Sequence, residues 1–204
     1  MRCVHLMISP LYGLVLAGGR SSRMKVDKSS LCYQGDTQSE LCFRLLSNFC
    51  EKVFISNREA QENQAGHCGL PQIHDSLGGI GPLGGILSAM QFQSEVAWLV
   101  LACDFPYVDH ETIAGLVQRR NAAKDATAYH HEDRVIEPLC TIYEPRCRTL
   151  LLETYTRGCF SPLKALLGAK IEVLTPAHPK HLTNANFPEE RDRALDFYDR
   201  KQED

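Results

Sequence analysis

The stretch from Gly13 to Lys28 limits what this chain can become more than any other. Leu14, Val15 and Leu16 form a short branched apolar run, Gly18 and Gly19 follow, and then come Arg20, Ser21, Ser22, Arg23, Lys25 and Lys28. A continuous apolar run bounded by glycines is the pattern of a strand covered on both faces. Glycines just beyond it let the backbone turn with positive φ and let a ligand approach the amides closely. The cations that follow would supply charge to an anion, Arg as a planar fork and Lys as a mobile point charge. A buried strand feeding an anion-holding loop predicts an α/β sheet with its ligand at the strand's carboxyl end.

The rest of the chain repeats that alternation. A helix is expected from about Thr37 to Cys50, with Leu41, Leu45, Leu46 and Phe49 at helical spacing. Val53 to Ile55 reads as a second buried strand ending at Ser56, Asn57 and Arg58, and Glu59 to Gly69 as a polar helix and loop. Ile73 to Leu77 carries His74 and Asp75 on a short strand or its exit. The glycine-rich run Gly78 to Gly85 then precedes an apolar helix through about Phe92. Gly79, Gly81 and Gly84 satisfy G-x-G-x-x-G, but Pro82 lies inside the match and no long β-branched strand precedes it, so it is not read as a dinucleotide fingerprint.

Val96 to Cys103 is the most apolar strand and should be central; it delivers Asp104 at its carboxyl end, with Pro106 stopping the pairing. Asp109 is placed to cap a helix through about Arg120. Ala126 to Tyr129, Val135 with Ile136, and Leu139 to Tyr143 read as two or three further strands, with His130 to Arg134 as the turn between them. Helices follow at Pro145 to Tyr155 and Pro162 to Leu167, an edge strand at Ile171 to Leu174, an amide-rich loop at Leu182 to Pro188, and a charged helix from about Glu189. Strands alternating with helices imply an α/β fold with a mainly parallel, doubly wound sheet.

Composition narrows the function. A net charge of −3 over 204 residues gives no basic excess, which argues against a nucleic-acid partner. No apolar run approaches the ~20 residues that span a bilayer, and His5, Ser9 and Pro10 interrupt the resemblance of the first residues to a secretory signal. Nine cysteines, an odd number with no C-x-x-C pair, read as reduced, mostly buried thiols in a reducing compartment, here the cytoplasm.

The basic glycine loop with Lys28, Asp75 and Asp104 thus all fall at strand exits. Carboxylates facing a phosphate loop suit Mg²⁺, a hard ion bound by one or two carboxylates together with phosphate oxygens and water. That points to chemistry at a nucleotide's phosphates.

Leu16-Ala-Gly-Gly, Arg23-Met24-x-x-Asp27-Lys28, Asp75, Gly81-Pro-Leu-Gly-Gly-Ile86, Cys103-Asp104-x-Pro106, Glu137-Pro-Leu139 and Asn184-x-Asn186-x-Pro188-Glu-Glu190 follow in order. In this order the chain resembles the molybdenum cofactor guanylyltransferase family, the MobA-like nucleotidyltransferases, from about Gly13 to Arg191. The resemblance implies a Rossmann-like three-layer α/β/α sandwich as one domain over residues 1–204, and a Mg²⁺-dependent enzyme that transfers GMP from GTP to Mo-molybdopterin and releases pyrophosphate, working alongside molybdoenzyme maturation proteins. It implies nucleotide contacts at Leu16, Ala17, Gly18, Gly19, Lys28, Asp75 and Asp104, and at Asn57 or its neighbour Ser56. It also implies the metal on Asp104, catalytic roles for Arg23, Lys28 and Asp104, and acceptor contacts at Gly81, Pro82, Asn184 and Asn186.

Ala17-Gly18-Gly19 stands where the CTP-using paralogues tend to carry Ala-Ala-Gly, which favours GTP. The alternatives are a cytidylyltransferase or another nucleotidyltransferase of the same fold, or a non-catalytic nucleotide-binding partner. Lys25 replaces the family's usual Gly, and Phe187 its usual Thr.

Overall fold

The computed structural model describes residues 8–17, 32–33, 36–58, 67, 69–131 and 135–184. Its strands are β1 (Leu11–Leu16), β2 (Cys32–Tyr33), β3 (Asp36–Thr37), β4 (Lys52–Asn57), β5 (Gln72–His74), β6 (Ala97–Ala102), β7 (Ala126–Tyr129), β8 (Cys140–Tyr143) and β9 (Ile171–Leu174). Its helices are α1 (Gln38–Ser47), α2 (Pro82–Phe92), α3 (His110–Gln118), α4 (Cys147–Thr156) and α5 (Pro162–Leu167). Seven strands form one sheet in the order β5-β4-β1-β6-β8-β7-β9, while β2 and β3 pair separately.

The β5, β4, β1 and β6 ladders are all parallel. β8 runs antiparallel to both β6 and β7, and β9 closes the edge parallel to β7. The sheet is therefore mainly parallel with one reversed strand, as the alternation of elements predicts. β6 is buried along its whole length, the burial that its unbroken apolar run requires.

Two apolar layers flank the sheet. On one face Val15, Ile55 and Leu99 pack with Cys42 and Leu46 of α1 and with Ile113 and Leu116 of α3. On the other, Leu14, Trp98 and Val100 pack with Ile86 and Met90 of α2, Leu151 of α4 and Leu166 of α5. The three-layer sandwich is thus built as expected. Among the described residues no helix is long and apolar enough to cross a membrane.

Several local expectations are corrected. Helix α2 begins at Pro82, inside the glycine run, so Gly84 and Gly85 are helical. Proline at the first position costs no hydrogen bond, and Gly81 ahead of it takes φ +73°. In α1 the fully buried residues are Gln38, Ser39, Cys42 and Leu46, while Leu41, Leu45 and Phe49 are only partly covered. The helix starts where Thr37 and Glu40 form a reciprocal capping box.

Val135 and Ile136 are not a strand: Val135 is exposed at φ +69° and closes a turn back to His131 through paired backbone bonds. A 3₁₀ turn, Pro179–Leu182, precedes the amide-rich segment and was not expected. The basic loop, most of the Glu59–Gly69 segment and the helix expected from Glu189 lie outside the described residues.

Candidate nucleotide site

Four parallel strands end along one edge of the sheet, and their exits build the site. Ala17 follows β1, donates its N–H to the Ser56 carbonyl of β4 at 3.0 Å, and is buried. Leu16 accepts from the N–H of Cys103, just past β6, at 3.2 Å. Asp75 follows β5 and donates its N–H to the Asn57 carbonyl at 2.8 Å. Backbone bonds therefore tie Ala17, Asn57, Asp75 and the Cys103–Asp104 turn into one continuous rim.

The Gly84–Gly85 pair lets α2 lie against that rim. A Cβ on Gly84 would stand 2.7 Å from both carboxylate oxygens of Asp75, and one on Gly85 would run into the Ser56 hydroxyl and approach Leu16 Cδ2 to 3.0 Å. Both positions are therefore closed to any side chain unless the rim gives way. Asp75 is held from its other side as well, because its Oδ1 accepts the Leu77 N–H at 2.9 Å. Ser76 is pinned to α2 by its N–H on Ser88 Oγ at 3.0 Å.

Asp104 stands on the α1 side of the rim, with Oδ1 buried. Its charge reaches Cys42 beneath it, whose thiol is pushed up to about 12, first by burial and also by the Asp104 carboxylate. In the sheet order, β5 and β6 are three strand spacings apart, roughly 14 Å at ~4.8 Å each. Asp75 and Asp104 thus cannot share one ion, whose oxygens lie at about 2.1 Å for Mg²⁺. The span instead suits an extended ligand held at two ends. Among the described residues no three His, Cys, Asp or Glu side chains gather to form a metal cage. An ion at Asp104 would take its remaining ligands from phosphate oxygens and water, the habit of Mg²⁺.

Gly81 and Pro82 are exposed at the start of α2. Asn184 follows the 3₁₀ turn, and its Oδ1 is buried with no hydrogen-bond partner among the described residues. The turn is fastened to α3. Thr112 Oγ1 donates to Asp109 Oδ1 at 2.8 Å and can therefore only accept from His181 Nδ1, 3.0 Å away.

Asn57 is only 1 % exposed. Its Nδ2 lies 2.5 Å from Gln72 Oε1 and 3.3 Å from His67 Nδ1, and its Oδ1 lies 3.0 Å from His74 Nδ1. Its amide is consumed inside the protein, so a base contact through that side chain is not offered here. Ser56 is equally buried, facing Gly85. Residues from three separate positions, 67, 72 and 74, enclose Asn57, and no spacing signal in the sequence marks their convergence. Gly18, Gly19, Arg23, Lys28 and Asn186, and with them the Lys25 and Phe187 replacements, lie outside the described residues.

Parallel strands with carboxylates at their exits, and a glycine-opened helix against them, are where an open α/β sheet holds a ligand, and the family match makes this a nucleotidyltransferase domain. The family model for the MobA-like NTP transferase domain matches residues 13–173, and the chain belongs to that family.

Among its relatives is the molybdenum cofactor biosynthesis bifunctional protein of Synechocystis sp., 35% identical over 183 residues. That match covers 89% of this chain but 53% of the relative, so the chain spans about half the length of that protein. A probable molybdenum cofactor guanylyltransferase of Trichormus variabilis is 33% identical over 187 residues, 88% of each chain. The solved structure of molybdopterin-guanine dinucleotide biosynthesis protein A from Archaeoglobus fulgidus superposes with a TM-score of 0.78, covering 93% of this chain and 99% of that one. At 22% identity that likeness speaks for the fold.

Proposed function

We propose that this protein is a molybdenum cofactor guanylyltransferase, transferring GMP from GTP to the terminal phosphate of Mo-molybdopterin with release of pyrophosphate. One observation carries the reading: Ala17, Asp75 and Cys103, which precedes Asp104, are tied by backbone bonds to the ends of neighbouring strands on one edge of the sheet. The names of the relatives support the acceptor, and Ala17-Gly18-Gly19 supports GTP over CTP.

In this reading the base lies toward Asp75 and the triphosphate toward Ala17 and Asp104. The acceptor's phosphate is already ionised at neutral pH, so no general base is needed, and the protein's contribution is alignment and charge neutralisation. Arg23 and Lys28 meet the charge that builds on the α-phosphoryl oxygens. Asp104 would hold Mg²⁺, which would supply positive charge against the phosphates and the leaving pyrophosphate. Asn184 and Asn186 orient the pterin, with Gly81 and Pro82 on the facing side. The enzyme works in the cytoplasm, with the molybdoenzyme maturation proteins as its onward partners.

The test is pyrophosphate release from GTP with Mg²⁺, dependent on added Mo-molybdopterin. Release with GTP and not with CTP is expected. Equal or greater release with CTP would reassign the base, and no release with any nucleotide would leave a binding protein rather than an enzyme.

A further inference from the structure

Helix α2 touches the exit of β5 at two points on one face. Of its eight buried residues, Leu83 to Met90, only Ser88 carries a polar side chain. Ser88 is four residues on from Gly84, so the two stand one above the other on the same side of the helix. Gly84 lies against the Asp75 carboxylate, and Ser88, only 5% exposed, meets the residue that follows it. Ser88 Oγ accepts the Ser76 N–H at 3.0 Å and shares a second bond with the Ser76 hydroxyl at 3.1 Å. A serine inside a helix commonly turns its hydroxyl back on its own carbonyls, whereas this one reaches out to another segment.

Three consecutive backbone N–H groups fix the course of the chain past β5. That of Asp75 is bound to the Asn57 carbonyl of β4, that of Ser76 to α2, and that of Leu77 to Asp75 Oδ1 at 2.9 Å. The last is an Asx turn, in which a carboxylate binds the N–H two residues on, and it closes only while the peptide between them keeps its direction. Ser76 is exposed, so packing does not hold that peptide; the two bonds to Ser88 do. Without the Ser88 hydroxyl the Ser76 N–H can turn to water at little cost in stability, and the turn that aims the carboxylate loosens.

Resting on the guanylyl reading above, in which Asp75 contacts the nucleotide, we propose that Ser88 is a positioning residue for nucleotide binding: it holds Ser76, and through the Asx turn it fixes the direction of the Asp75 carboxylate. Gly84 sets how closely α2 approaches that carboxylate, and Ser88, one helical turn further on, sets where the chain bearing it bends. A group aimed in advance loses less freedom when the ligand arrives, so the hydroxyl acts on affinity from a buried position.

The test is a double-mutant cycle on GTP affinity, with Ser88→Ala made in the wild type and in Asp75→Ala. Ser88→Ala alone should weaken GTP binding about tenfold, the worth of one hydrogen bond. In Asp75→Ala the same change should have no effect, since no carboxylate is left to aim. Equal losses in both backgrounds, or no loss in the wild type, would overturn the assignment. Amide hydrogen exchange on the unliganded protein gives a separate reading: in Ser88→Ala the Leu77 N–H should exchange about tenfold faster while Val100, in the middle of β6, keeps its protection. Unchanged exchange at Leu77, or Leu77 and Val100 accelerated together, would refute a local hold by Ser88. An Asp75→Ala variant that binds GTP as tightly as wild type would instead sink the nucleotide role of Asp75, a result that leaves the exchange outcome standing and so is told apart from failure of the Ser88 hold.

Discussion

Gly84→Ala separates site geometry from stability. Gly84 is buried in the first turn of α2, and a methyl group there would stand 2.7 Å from both Asp75 oxygens and 3.0 Å from Asp75 Cγ. Relief requires the carboxylate to retreat by roughly half an ångström or more, since close carbon–oxygen contacts settle well above 3 Å. It is the far end of a flexible side chain and can do so. Alanine in place of a helical glycine returns up to ~1 kcal/mol of helix propensity. The net change in folding stability should therefore stay within about 1 kcal/mol.

Binding should not be spared. A displaced carboxylate forfeits a charge-assisted hydrogen bond to the nucleotide, worth ~1.5–3 kcal/mol, which is about ten- to a hundredfold in Kd. Titration calorimetry with GTP measures this directly, and chemical denaturation checks the fold. Gly78→Ala is the control, because nothing lies within 4 Å of a Cβ there; it should leave both quantities unchanged. A folded Gly84→Ala variant that binds GTP as tightly as wild type would remove Asp75 from the nucleotide site.

Other outcomes follow from the same structure. Arg120 and Glu144 form a two-pronged ion pair at 2.6 and 2.9 Å, with side chains 10% and 2% exposed, at the end of the sheet away from the site. Arg120→Ala should cost about 3–5 kcal/mol in denaturant unfolding by leaving a buried charge alone, while GTP affinity in the folded fraction is unchanged. His181→Ala releases the turn that leads to Asn184, so KM for the pterin acceptor should rise about tenfold with nucleotide affinity intact, as one hydrogen bond predicts; a change in GTP affinity instead would contradict that division of the site.

Burial pushes the thiols of Cys42, Cys50 and Cys147 up to about 12. The folded state therefore keeps protons that the unfolded chain gives up from about pH 8.5. Stability should be level below that value and fall as pH rises toward 12, which thermal unfolding across that range would show. Stability rising over the same range would contradict the buried, neutral thiols.

The strands of the sheet were legible because burial on both faces leaves an unbroken apolar run, clearest in Ala97–Ala102. Asp109 was legible as a cap because an N-cap carboxylate needs only its own local chain, and it accepts the Thr112 N–H at 3.0 Å. The reversed direction of β8 was not, since Cys140–Tyr143 is as apolar in either orientation. Val135 hid a left-handed residue behind a β-branched side chain that ordinarily marks a strand.

At the site, Asp75 and Asp104 stood out as carboxylates at strand exits. The reason for Gly84 and Gly85 did not, because the Asp75 and Ser56 side chains that forbid a Cβ come from distant segments. Asn57 was singled out for its place at the end of β4. That it is occupied by His67, Gln72 and His74 depends on side-chain directions that a sequence does not carry.

The decisive measurement is a crystal structure of the protein with GTP and Mg²⁺. We expect guanine beside Asp75, the triphosphate along the Ala17 end of β1, and the metal on Asp104. A nucleotide bound away from that rim, or a metal held without Asp104, would contradict the assignment of the site.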